Sequence, residues 1–222
     1  MKLQSRKSIG ELSAEGFEKV LIDSVQRVAQ AHERAGGIDG NRAWTQAQWR
    51  ELTTLLLQYS PQEPDSWLWF GYHRAAEDFT QKPEEMGHAY LEAGGEWLYD
   101  YSFVEYLTPS GASVEKSKWE HHRFGELIVA AESEWDSTFG ALEHDFEKLL
   151  VSRARFKVFF CDPGSKPETR KKAKLRLAES LSGGLLAQDT RLWLVTWSRS
   201  SEYTVERLVL EPSWVEVAPN RK

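Results

Sequence analysis

Residues 127–135 read Leu-Ile-Val-Ala-Ala-Glu-Ser-Glu-Trp, and the fold class turns on them. Five consecutive apolar residues bounded by polar ones fit a central strand covered on both faces. Downstream, Leu142, Phe146, Leu149 and Leu150 recur at helical spacing and predict a helix. Residues 156–160 (FKVFF) predict a second buried strand, closed by the turn signal Asp162-Pro163-Gly164. A basic helix over 167–180 follows, ended by Gly183-Gly184. Residues 192–197 and 203–210 complete the series as two antiparallel neighbours.

Upstream, 97–106 is aromatic and alternating, which predicts another strand. Before it the pattern is helical. Ser13 opens a helix carrying Phe17, Val20, Leu21, Val25 and Val28 on one face, ending before Gly36-Gly37. Thr45, with Gln48 three residues on, reads as the capping box of a second helix that Pro61 ends. Residues 67–79 read as a third helix. The expected architecture is α/β, a mixed central sheet flanked by helices. One domain over 1–222 is expected, with 1–90 a helical N-terminal layer and 91–215 the α/β core.

Composition narrows the function classes. Ten Trp, ten Phe and seven Tyr in 222 residues supply ample apolar area for a core. No run approaches the roughly 18 apolar residues of a membrane span, so no membrane partner is expected. A single cysteine, Cys161, excludes an internal disulfide framework and any zinc site of several thiolates. Residues 1–10 are polar, so no secretory signal and a cytoplasmic location are expected. The net charge of -6 argues against a generic nucleic-acid coat, though a local basic patch is enough to steer a phosphate. No GxSxG, Walker A or strand-linked GxGxxG is present, and none of the six histidines has a paired ligand spacing.

Two groupings carry chemistry. By the period of two, Glu96, Leu98, Asp100 and Ser102 share a strand face, and so do Ile128, Ala130, Glu132 and Glu134. Burying a lone carboxylate is costly. Convergence of several at a sheet edge makes sense if a hard cation joins them, and Mg²⁺ is satisfied by one or two carboxylates plus water and phosphate. The plain alternative is exposed carboxylates paired with Arg or Lys. The second grouping is Lys166, Arg170, Lys171, Lys172, Lys174 and Arg176, opposed only by Glu168. It could follow a phosphate backbone or form the solvated face of a helix whose Leu175, Leu177 and Leu181 point inward.

Three segments resemble the PD-(D/E)xK, or restriction-endonuclease-like, nuclease superfamily: EWLYDYSFVEY (96–106), LIVAAESEW (127–135) and DFEKLL (145–150). The resemblance covers about 90–210. It implies the restriction-endonuclease-like fold and Mg²⁺- or Mn²⁺-dependent hydrolysis of phosphodiesters. It implies Asp100 and Glu132 as metal ligands, with nucleic acid, DNA first, as partner. Enzymes of this kind often dimerise, so a homodimer is a further expectation. The family's lysine position holds Glu134 here, which the resemblance makes a third ligand or general base. Lys148, on the next helix, is the candidate for a migrated lysine. The helical wheel sets Lys148 well off the apolar stripe, so it must snorkel round the helix edge to reach the site, or simply pair with Asp145 at i,i+3. Lys166, Arg170, Lys171 and Lys174 are the expected nucleic-acid contacts. Two other readings fit the residues: a catalytically inactive nuclease-fold binding or regulatory subunit, or an inhibitor- or immunity-type interaction module using its tryptophans.

Overall fold

The computed structural model describes residues 7–36, 40–62, 66–73, 93–94, 98–107, 123–136, 138–162, 166–180, 191–197, 203–209 and 213–218. A short 3₁₀ turn, Ile9–Glu11, precedes α1 (Ala14–Arg34) and α2 (Asn41–Leu56). Then come β1 (Ser66–Tyr72), β2 (Ala93–Gly94), β3 (Tyr101–Leu107) and β4 (Arg123–Glu134). Helix α3 (Phe139–Val151) leads to β5 (Phe156–Cys161), and α4 (Pro167–Ser180) to β6 (Leu192–Trp197). Strands β7 (Tyr203–Val209) and β8 (Ser213–Ala218) close the series. All eight lie in one mixed sheet of order β2-β1-β3-β4-β5-β6-β7-β8. Strand β3 is antiparallel to β1 and β4, whereas β4, β5 and β6 run parallel. The expected α/β class is therefore present.

Parallel neighbours need crossovers, and α3 and α4 supply them. Both pack on one sheet face, where Leu142, Phe146, Leu149, Ala173 and Leu177 meet Ala130, Phe159, Leu192 and Leu194. Helices α1 and α2 cover the other face, with Phe17, Leu21, Trp44 and Trp49 against Phe103, Val129, Phe156, Phe160 and Trp193. This double cover explains why 127–131 is apolar without a break: every one of those residues is buried.

Four expectations change. Residues 66–72 form a strand, not a helix. Trp67 and Trp69 join the core under α3 while Leu68, Phe70 and Tyr72 join the one under α1 and α2. Two apolar faces in alternation erase the polar signal that separates strand from helix. The first 90 residues thus contribute β1 to the sheet as well as a helical layer; 74–92 lie outside the described residues. Helix α2 starts at Asn41 behind Gly40, whose φ of 86° suits glycine, so Thr45 is no cap. Its Oγ1 instead donates to the Asn41 carbonyl at 2.9 Å. Ser13 does cap α1, accepting from Gly16 N at 3.1 Å. On α4, Leu177 is buried but Leu175 is 55% exposed, so the inward face is Ala173, Leu177 and Ala178.

The fourth concerns the face shared by β4. Its pairing with β3 slips between Phe103↔Val129 and Val104↔Leu127, leaving Ile128 as the extra residue of a β-bulge. Ile128 therefore packs with the α1–α2 core, whereas Ala130 faces α3. A second slip follows at Glu105/Tyr106. There a side chain at Gly125 would bring its Cβ to 2.8 Å from the Glu105 carbonyl oxygen.

Candidate active site

The carboxyl end of β4 emerges between β3 and β5, where open α/β sheets commonly place ligands. The register Tyr101↔Ala131 ends the ladder, and one step further sets Asp100 across from Glu132. Asp100 sits in a bend just before β3, not inside a strand. Its Oδ2 accepts from the Ser133 backbone N–H at 2.9 Å and from Ser133 Oγ at 2.7 Å. The carboxylate thus replaces the ladder partner that β3 no longer offers, which fixes its position.

Glu132 is 1% exposed. Burial first and the Asp100 charge second raise its carboxyl pKa to about 8, with Lys148 only partly offsetting them. The Lys148 ammonium lies 3.5 Å from Glu132 Oε1 and 2.7 Å from Asp145 Oδ1. Partial burial pulls the lysine down, but its hydrogen bond to Asp145 and the charges of Glu132 and Asp145 outweigh that and hold it above its ordinary range. The side chain has to lean across from outside the apolar stripe of α3, the snorkelling the wheel demands. Among the described residues Glu132 Oε1 has no hydrogen-bond partner.

Glu134 is half-buried at the strand end. Its Oε1 accepts from Asp136 N at 2.6 Å. Burial is the largest cause of its raised pKa, and a hydrogen bond shared with Asp145 adds to it. Asp145 thus stands between Lys148 and Glu134, and Lys148 makes the i,i+3 pair with Asp145 while its ammonium also lies within 3.5 Å of Glu132. Tyr99 also belongs here: burial raises its phenol and the Glu132 charge adds to the effect. Among the described residues no three His, Cys, Asp or Glu side chains form a ready metal-binding group.

The basic helix is divided. Lys174, partly buried, is in direct contact with Oε2 of the buried Glu206, an ion pair that turns this lysine inward. Arg176 lies over the Phe139 ring at 4.9 Å. Lys166, Lys171 and Lys172 are exposed. Cys161 is buried and free, and burial pushes its thiol far up, which makes it unreactive. His121, His122 and Glu96 lie outside the described residues, while His144 is on α3.

Sequence reading missed Ser133, whose position between two glutamates puts it on the opposite sheet face. It also missed a cleft of ≈540 Å³ beside Asp100, lined by α2 residues Asn41, Arg42, Gln46 and Trp49 together with Ser133 and Trp135. No helix of the described residues is long and apolar enough to cross a membrane. No protein-family model, no curated protein and no solved structure matches this chain.

Proposed function

We propose that this chain is a Mg²⁺- or Mn²⁺-dependent nuclease of the restriction-endonuclease-like kind, hydrolysing phosphodiesters in nucleic acid, with DNA as the expected substrate and the cytoplasm as its place of work. The observation that carries the reading is Glu132: a carboxylate buried at the end of a central strand, opposite a pinned Asp100, with a lysine ammonium 3.5 Å away. A fold that wanted only stability would fill this position with an apolar side chain.

The residues fit a hard cation. Asp100 and Glu132 offer oxygen donors, Glu132 Oε1 is shut off from water without a hydrogen-bond partner among the described residues, and two carboxylates suffice when water and phosphate complete the shell. Asp100 and Glu132 would hold the ion. Such an ion, when bound, lowers the pKa of water and neutralises charge on a phosphoryl group. The remaining work falls to the chain. Lys148, its ammonium held charged between Glu132 and Asp145, orients the attacking water and stabilises negative charge at the phosphate. Glu134, its carboxyl raised and linked to Asp145, is placed to take up a proton. Lys166, Arg170 and Lys171 supply phosphate contacts; Lys174 leaves that set because it pairs with Glu206.

One observation favours a second reading. Position 134 is Glu, and Lys148 already lies between two carboxylates of the site. An internal ammonium in the place of a metal would give a nuclease-fold subunit that binds nucleic acid without cutting it. Cleavage of plasmid, single-stranded DNA and RNA with Mg²⁺ or Mn²⁺ separates the two. The nuclease reading expects cleavage lost in EDTA and in Asp100→Ala. No cleavage of any substrate by folded protein, together with salt-dependent binding, would favour the inactive subunit.

A further inference from the structure

The cleft shares Asp100 with the proposed metal ligands and no residue with the basic helix, and its lining is chemically specific. Trp135 directly follows β4, and its Nε1 donates to Thr45 Oγ1 at 2.9 Å, which clamps the indole to α2. The same ring meets Trp44 edge-on at a centroid distance of 5.0 Å. Trp135 stays half-buried and lines the cleft, so it is a rigid aromatic wall. Trp49, 2% exposed and stacked on Tyr101, forms the floor.

Polar groups stand on the remaining sides. Arg42 is exposed at the first turn of α2 and its guanidinium contacts His73 Nε2. The helix cap is Gly40, and no side-chain cap hydrogen bond is made there among the described residues, so the first turn keeps N–H groups that an anion can satisfy. Among the described residues the amide nitrogen of Gln46 is shielded from water without a hydrogen-bond partner. Turning that amide toward an acceptor in the cleft would relieve the cost of leaving it unpaired. Asp100 and Ser133 form the wall nearest Glu132.

A flat aromatic wall, a hydrogen-bonding amide and a cation at an open helix N-terminus are together what one nucleotide requires. The base has a π-face that stacks on indole whatever its sequence, and its edge offers acceptors for an amide. The phosphate suits the arginine and the helix end. A duplex keeps its bases stacked on one another and cannot present one to Trp135 without unstacking. We propose that this cleft binds one unstacked nucleotide of a single strand, its base on Trp135 and its phosphate beside Arg42. Single-stranded nucleic acid would then be the substrate class that reaches Asp100. This rests on the nuclease reading for its biological sense, but not for the binding itself.

The test is fluorescence anisotropy of labelled single-stranded DNA, single-stranded RNA and duplex DNA of equal length, in EDTA so that no metal contributes. The expected result is binding of a single strand at least tenfold tighter than duplex. Trp135→Leu should weaken it about tenfold or more, and Arg42→Ala about threefold with a shallower salt dependence. Arg42 is exposed, so that variant keeps the test valid if Trp135→Leu fails to fold. Trp135→Phe, which keeps a ring but not the bond to Thr45, should recover most of the binding. Equal affinity for single strand and duplex, no binding by wild type, or wild-type affinity in both Arg42→Ala and a folded Trp135→Leu protein would overturn the proposal. Single-strand binding with no cleavage under any metal would sink the nuclease reading while leaving the cleft assignment supported.

Discussion

Two carboxylates on the same side of this sheet are each approached by a lysine from a covering helix, and they differ in a telling way. Glu206 on β7 is in direct contact with Lys174 of α4. Glu132 on β4 is more deeply buried, yet its lysine, Lys148 of α3, stands 3.5 Å away and lies closer to Asp145. The first pair is what a protein does when a carboxylate must be neutralised for stability. The second leaves a buried acid short of positive charge, next to another carboxylate, with its pKa raised to about 8. Strongly perturbed acids cluster at functional sites, and Glu132 is one of them.

Substitutions break the comparison most sharply on the Glu132 side. Asp100→Asn keeps an oxygen that can accept from Ser133 but loses the charge. It should cut metal-dependent cleavage at least about a thousandfold with little change in melting temperature, read by a cleavage assay beside thermal unfolding. Exchanging the two lysines separates chemistry from stability. Lys148→Met should lower cleavage about a hundredfold. Lys174→Met should leave cleavage nearly intact and cost about 1–3 kcal/mol, less than a fully buried broken pair because both side chains keep some solvent. Chemical denaturation of both proteins checks this. An unstable Lys148→Met and an unaffected Lys174→Met would reverse the assignments.

The pH dependence sharpens the same contrast. The folded pKa of Glu132 lies above the ordinary carboxylate value of 4.5. The folded protein therefore holds a proton that the unfolded chain has released. The associated stability is fully present below about pH 4.5 and is lost as pH rises through about 8. Urea unfolding of wild type should show stability from this group falling across that window, and Glu132→Gln, which cannot ionise, should flatten the fall. An unchanged slope in Glu132→Gln would mean the carboxylate is not the group that titrates.

How far the sequence foretold this site depends on what each residue's neighbours do to the pattern. Glu132 and Asp100 were legible because a charge interrupting a buried or aromatic run has few neutral explanations. The reach of Lys148 was half legible: its angle on the helix was clear, but the flexibility that carries its ammonium to Glu132 is a property of four methylenes. Strand β1 was hidden because both its faces are buried, so no polar residue marks its period. The bulge at Ile128 was hidden because slippage of register depends on the β3 partner. The cleft was least visible, since Arg42, Gln46 and Trp135 are distant in sequence and meet only when α2 packs over the end of β4.

Metal binding by isothermal titration at pH 7, in two buffers of different ionisation heat, tests the central claim most directly. Burial and the Asp100 charge raise the Glu132 pKa and favour its protonated form, whereas a ligating carboxylate must be ionised. The account predicts that Mg²⁺ or Mn²⁺ binds wild type with net release of protons, and that Glu132→Gln loses both the binding and the release. Absence of binding by folded wild type, or binding that Glu132→Gln leaves unchanged, would contradict it and leave Lys148 as the cation this site was built to hold.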